Sequence, residues 1–530
     1  MAIVNHNRRQ FLQYTAISAL AASLPGFSLA QSRGGRGADP SFKADVEIVL
    51  TAQSTEVPIL PGAQTHVFKY SGELLKGPQT ALTELPGYLG PVLNFEQGQK
   101  VRIYFRNQLP EPCVTHWHGL HVPQVMDGHP MYAIDRGEQY VYEFEVVNPA
   151  GTYWYHAHTH EMTATQVYQG LAGLITVTDT VERKLELPGG EYDMPLVIQD
   201  RSFSRGNQLR YVLGMHQRMQ GFMGDTMLVN GRKDSIIPVK SRAYRLRILN
   251  GSNARIYKLA WSDGTPLTAI GTDGGLLQKP EIFPYIMLAP AERIELWADF
   301  SGRKDGSELT LQSLPYQMPS SHMGGMGRMG MMGHGDSHSE KHSLVTFRVT
   351  GQTGDSPKRP DQLATFSRLT AKDVTHPDKT VPIAIGMRHM SFRLNGRSFD
   401  LLDYQPVEQI PVNSVQRIRI FHESGMMGRG RMGGGMRGGM GMMMAQPHPI
   451  HIHGQQFQIV SRRQTHESSS GYDTVKDGFI DSGRKDTVLV MPGEEIEIIK
   501  PFQDHTGLFL YHCHNLEHED MGMMRNFYVG

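Results

Sequence analysis

The chain has 530 residues, is 39% hydrophobic and 20% charged, and carries 52 basic against 52 acidic residues for a formal net charge of zero. That length exceeds one ordinary core and predicts two to four domains. The balanced charge excludes any compositional argument for a nucleic-acid or membrane-surface partner. The departures from an average protein are 57 Gly and 30 Met, with only 2 Cys.

Residues 1–30 read as an address. Asn7-Arg8-Arg9-Gln10-Phe11-Leu12 precedes a mild apolar run, YTAISALAASL, and then Ser28-Leu29-Ala30. Paired arginines, an apolar run and a small-x-small cleavage site predict a twin-arginine export signal and a periplasmic mature protein. No later segment reaches the ~18 apolar residues of a transmembrane helix, so no membrane span is expected.

One pattern then recurs three times: GQKVRIYFRN (98–107), SRAYRLRILNGS (241–252) and NSVQRIRIFHES (413–424). Each is a polar turn followed by alternating apolar and basic residues, the period-two mark of a half-buried strand. Each leads to another strand segment, VTHWHGLHV, ARIYKLAW and HPIHIHGQQFQIV, and then to EQYVYEFEVV, AERIELWADF and GEEIEIIKPF. Short strands and Gly/Pro turns without helical periodicity predict an all-β fold of three Greek-key β-sandwich domains. They are placed at 40–180, 185–352 and 375–530, with a Pro- and Asp-rich linker around 352–380.

Copies one and three carry histidines where copy two has none: HWHG and HPIHIHG stand against YKLA. Four motifs result: His116-Trp117-His118, His156-Ala157-His158, His451-Ile452-His453 preceded by His448, and His512-Cys513-His514 followed by His518. In a strand, residues i and i+2 share a face, about 6.6 Å apart. Each pair thus offers two imidazoles to one side, and eight imidazoles can hold three copper ions. Cys513 points to the opposite face, where it can join His448 and His518, with Met523 as a weak axial ligand. That donor set describes a blue-copper electron-transfer centre. Export would ordinarily favour disulfides; with Cys513 so engaged, Cys113 is expected to be a small buried thiol.

On HWHGLHVP, YWYHAHTHEMTATQVYQGLAGLITV, HPIHIHGQQFQIVS, RKDTV and HCHNLEHEDMGMM, the chain resembles the three-domain multicopper oxidases, and closely the bacterial periplasmic copper-efflux oxidases. The resemblance implies cupredoxin-like domains and four coppers per chain. It implies type 1 copper at His448, Cys513 and His518 with Met523 axial, and type 2 copper at His116 and His451. The type 3 pair would take His118, His156 and His514 on one ion and His158, His453 and His512 on the other. Asp127 and Glu519 match family acids near the cluster, and carboxylates there suit the protons that O2 reduction consumes.

Two low-complexity tracts remain, MPSSHMGGMGRMGMMGHGDSHSEKH (318–342) and MMGRGRMGGGMRGGMGMMM (426–444). Glycine this dense cannot pack a core, and thioethers are soft ligands that prefer Cu(I). Copper-efflux oxidases commonly place an acid four residues before the first type 1 histidine; here that residue is Met444. The expectation is a monomeric multicopper oxidase that couples oxidation of Cu(I), with laccase-like oxidation of phenols, to reduction of O2. A copper-sequestering protein with incidental turnover is the competing reading.

Overall fold

A computed structural model describes residues 36–317, 340–353, 355–388, 391–423, 446–465 and 471–530. The expected export signal lies outside these residues, as do the methionine tracts except for residues 340–342. The described chain forms three cupredoxin-like sandwiches in series, pairing four- with five-stranded, seven- with five-stranded and six- with five-stranded sheets.

The repeated motif occupies the same place in each. Lys100–Asn107 runs parallel to Val46–Val57 and antiparallel to Gln139–Glu145. Ala243–Asn250 runs parallel to Asp193–Arg201 and antiparallel to Arg293–Asp299. Ser414–His422 runs parallel to Val381–Arg388 and antiparallel to Glu494–Phe502. A parallel neighbour beside an antiparallel one requires the chain to cross over between sheets, as a Greek key does. Alternation sets which side of each strand is buried: Val101, Ile103 and Phe105 enter the first core, Leu246 and Ile248 the second, Ile418 and Ile420 the third.

Apolar clusters also join the sandwiches in pairs. Trp154 and Leu174 pack with Val197 and Leu249, Ile256 and Tyr316 with Val475 and Leu489, and Ala164 and Val167 with Leu516. The first and third sandwiches therefore meet, with Thr163 bonded to Asp520 across 357 positions of sequence. The short helix Thr163–Gln169 helps seal that seam. Its first amides, Thr163 and Ala164, donate to the Asp520 carboxylate at 3.0 and 2.9 Å, satisfying groups that a helix N-terminus leaves open. The 352–380 connection is tied down on both sides: Leu363 and Ala364 bond to Gln278 and Leu277, and the Leu369 amide bonds to Gln458. Among the described residues no helix is long and apolar enough to cross a membrane, and Cys113 and Cys513 are both buried free thiols.

Candidate metal centre

Two strand pairs bring the histidines together. Thr115–His116 pairs with Gly151–Ala157 so that His116 faces His156, and His448–Ile452 pairs with Gly507–Cys513 so that His451 faces His512. The pairs meet across the first–third seam, where the His116 ring stacks on His453 at 3.9 Å and His118 on His451 at 3.7 Å. All eight imidazoles of the four H-x-H motifs are buried. Gly119, which follows His118 at φ 87°, leaves room there: a Cβ would sit 2.6 Å from the Asp486 carboxylate and 2.8 Å from the Arg293 guanidinium.

Hydrogen bonds assign the ring protons. Nδ1–H of His116 donates to the Asp127 carbonyl at 2.6 Å, that of His451 to the Asp486 carbonyl at 2.8 Å, and that of His453 to the Asp127 carboxylate at 2.7 Å. His156 and His512 donate likewise to the carbonyls of Ala157 and Cys513. A proton on Nδ1 leaves Nε2 as a bare lone pair, as in metal-ligating histidines held by an outer acceptor. Yet Nε2 of His512 lies 3.3 Å from Nε2 of His158 and 3.2 Å from Nε2 of His453. The lone pairs of His453 and His512, so close, repel unless a cation lies between them. Nε2 of His116 and His451 and both ring nitrogens of His514 are buried without any partner, a cost that native structures do not leave unmet. Burial, followed by repulsion from neighbouring rings, holds His118, His451 and His453 well below the ordinary imidazole range. Those three rings are therefore neutral, the form in which an imidazole can hold a metal. His118 Nδ1 is 3.4 Å from His156 Nε2, and the His514 ring lies 5.1 and 5.2 Å from those of His118 and His156.

A second group lies on the other face of the same strand. Cys513 Sγ is 3.5 Å from His448 Nδ1 and 3.7 Å from His518 Nδ1. His518 Nε2 donates to the Met219 carbonyl at 3.0 Å, fixing its tautomer from the helix Met215–Gln220. Burial pushes the Cys513 thiol up, so a metal must displace its proton to bind. Met523 is buried beside this group, and its carbonyl accepts from the Cys513 amide at 3.0 Å. Imidazoles with one thiolate and one adjacent thioether fit copper.

Both expected acids are in place. Asp127 holds His453 through its carboxylate and His116 through its carbonyl, and burial raises its carboxyl above the usual range. Glu519 Oε2 lies 2.9 Å from His512 Nδ1 and Oε1 3.7 Å from His158 Nε2; burial raises its carboxyl, but those two rings outweigh burial and hold it low.

Three supporting groups escape sequence reasoning. Asp486 Oδ1 sits 3.1 Å from His118 Nε2 while its carbonyl holds His451, and Arg293 of the middle sandwich grips its two oxygens at 2.8 and 2.5 Å. Met219 is the third. Asp486 lies within the family-like RKDTV segment, so a signal existed for it. Arg293 and Met219 act across domain seams and carry none.

With fold and site in view, the comparisons agree. Family models described as multicopper oxidase match residues 71–182 and 371–530. The chain is 30% identical over 478 residues to "Multicopper oxidase mco" of Staphylococcus aureus, covering 90% of this chain and 86% of that one. It is 31% identical to a laccase of Bacillus stratosphericus, covering 84% and 90%. The solved structure of the McoA multicopper oxidase of Aquifex aeolicus superposes with a TM-score of 0.74 at 30% identity, covering 92% of this chain and 97% of that one. The chain belongs to the multicopper oxidase family and is an oxidoreductase.

Proposed function

We propose that the mature protein is a periplasmic, monomeric oxidase of domains 40–180, 185–352 and 375–530. It would couple one-electron oxidation of a small reductant at the Cys513 site to four-electron reduction of O2 to water at the histidine cluster. Cu(I) is the favoured reductant, in copper tolerance, and phenols share its entry. The observation that carries this reading is the convergence of His158, His453 and His512 through Nε2 atoms at 3.2 and 3.3 Å, one residue from the sulfur of a second site.

His448, Cys513, His518 and Met523 would hold one copper, His116 and His451 a second, and His118, His156, His514 with His158, His453, His512 a pair, four in all. Bound copper would supply the one-electron oxidation at the first site and the four-electron reduction of O2 at the other three ions. Cys513 joins the sites covalently, because single peptide bonds link it to His512 and His514. Reduction of O2 to two waters consumes four protons as well as four electrons. Asp127, a buried carboxyl raised above its usual range, would donate protons inward, and Glu519, a carboxylate against His512, would accept and relay them.

The paired Arg8-Arg9 and the apolar run after them support export by the twin-arginine route. The thioethers of 318–342 and 426–444 support Cu(I) as substrate, since soft sulfur ligands suit it. The laccase relative supports phenols. Oxygen uptake by the holoprotein, measured on adding Cu(I) and separately a phenol, with copper counted per chain, tests all of this. Tight Cu(I) binding without oxygen uptake would make the protein a sequestering one instead.

A further inference from the structure

The four H-x-H motifs differ in the residue between their histidines. Ala157 and Ile452 fill that place in two of them with inert side chains, and Cys513 fills it in a third with the sulfur of the second site. The fourth holds Trp117, the other oxidisable side chain of the set. It is peptide-bonded to His116 and His118, and its ring is wholly buried in the first core. Its indole N–H has no hydrogen-bond partner among the described residues.

From Trp117 a line of rings runs outward through the first sandwich. The Trp117 centroid lies 5.0 Å from that of Tyr142, Tyr142 lies 4.9 Å from Tyr140, and Tyr140 lies 5.8 Å from Tyr132. Tyr142 and Tyr140 stand two apart on the strand Gln139–Glu145 and so share one face. Tyr132 ends the turn Pro130–Tyr132 and is half-buried. Each phenol is held: the Tyr142 oxygen accepts from the Thr115 amide at 3.3 Å, while Tyr140 donates to the Val125 carbonyl at 2.6 Å and Tyr132 to Gln124 at 3.1 Å. Packing alone asks for rings without hydroxyls, as Phe105 and Phe144 provide beside this line. A buried hydroxyl must be given a partner, so tyrosine at 140 and 142 calls for another reason. Trp117 also lies 5.8 Å from Tyr155, and Tyr155 lies 5.2 Å from Tyr70, but both are wholly buried and that branch ends inside the core.

We propose that Trp117, Tyr142, Tyr140 and Tyr132 form an electron relay that leads oxidising equivalents out of the histidine cluster to the protein surface when reductant at the Cys513 site runs short. This rests on the oxidase reading above. Reduction of O2 to water takes four electrons, and a supply that fails partway leaves a strong oxidant beside His116 and His118. Trp117 gives one electron to the cluster, a step that needs no proton transfer from its indole. Tyr142 and Tyr140 carry an electron inward to refill it. Tyr132 is the final donor: it loses one electron to the line and its phenolic proton to water, and becomes a neutral tyrosyl radical. A soluble thiol or phenol restores it by returning one electron and one proton. The relay spares the cluster histidines and Cys513 from oxidation.

The test takes copper-loaded protein partly reduced with dithionite and mixes it with O2 in the presence of a nitroso spin trap. Peptide mass spectrometry should place the trap on Tyr132, and an anaerobic control should carry none. Tyr142→Phe and Tyr140→Phe keep the rings and give up one hydroxyl bond each. Copper per chain should hold in both while the Tyr132 adduct is lost. No adduct at Tyr132 in the wild-type protein, or an equal adduct in both variants, overturns the relay. Tyr132→Phe, at the half-buried outer end, is a second check that disturbs no core: it should lose oxygen uptake sooner under limiting reductant, and an unchanged lifetime also overturns the relay. Oxygen uptake with ample phenol, measured on the same preparation, separates the two readings. Uptake without the adduct refutes the relay alone; absence of uptake removes the oxidase reading and the relay with it.

Discussion

The middle sandwich and its two neighbours share one strand plan and spend it differently. Where the outer sandwiches place imidazoles, the middle one carries Tyr257–Trp261, packed into its own core. Its repeat strand buries Arg245 and Arg247 against Glu295, Glu182 and Asp193, whereas the corresponding arginines of the third sandwich, Arg417 and Arg419, remain partly exposed. The fold fixes positions, and the residues at those positions decide between a metal site and an ionic seam. The middle sandwich still reaches the chemistry, because Arg293 fixes Asp486 and Met219 fixes His518.

The comparison can be broken most completely at Cys513. Cys513→Ser should abolish the intense blue absorption and all substrate oxidation, while the eight imidazoles keep binding about three coppers. A blue, active serine variant would contradict the assignment. Next comes the claim that a domain without ligands supports the cluster. Arg293→Met strands the buried Asp486 carboxylate, and losing one partner of such a pair costs about 3–5 kcal/mol. Chemical denaturation should register that loss, copper per chain should fall, and adding Asp486→Asn should recover part of the stability. An unchanged midpoint and copper count would confine the middle sandwich to a spacer.

The ionic seam offers a pH test of the same contrast. Burial alone would raise the Glu295 carboxyl, yet Arg245 and Arg247 outweigh it and bring it down from 4.5 to about 2. A depressed carboxyl stabilises fully above its unfolded value and loses that contribution as pH falls towards the folded one. The window is therefore pH 4.5 to 2, and the contribution is about 3 kcal/mol. Glu295→Gln should flatten the acid loss of stability in that window; an unaltered acid profile would place the pH sensitivity elsewhere.

Asp127→Asn should slow oxygen reduction about a hundredfold, within the usual range for a lost proton donor. Reduction of the Cys513 site by substrate should survive, because asparagine can still accept from His453. If that reduction fails as well, Asp127 is structural. The smallest effect is expected in the tract 426–444. Replacing its eight methionines with serine should raise the KM for Cu(I) a few-fold and leave phenol oxidation unchanged or faster. Identical kinetics for both substrates would leave copper entry unassigned.

Much of this was legible in sequence for physical reasons. Alternation in KVRIYFRN, AYRLRILN and SVQRIRIFH reports directly which side chains face a core, and the structure gives all three the same neighbours. The eight cluster histidines and Cys513 announce themselves because spacing of two on a strand is already a geometry. Asp127 and Glu519 came from family likeness, since an acid near histidines has no pattern of its own. Arg293 and Asp486 are 193 positions apart and belong to different sandwiches, so no local period links them.

The seam between the first and third sandwiches also sets an order of assembly. The cluster draws His116 to His158 from early in the chain and His512 and His514 from its last strands, and the second site needs Cys513 and His518. A chain interrupted anywhere before residue 512 would complete neither site. On the proposed ligand assignment, a nascent or truncated chain could not capture copper in working form, and metal loading would mark a finished, docked protein.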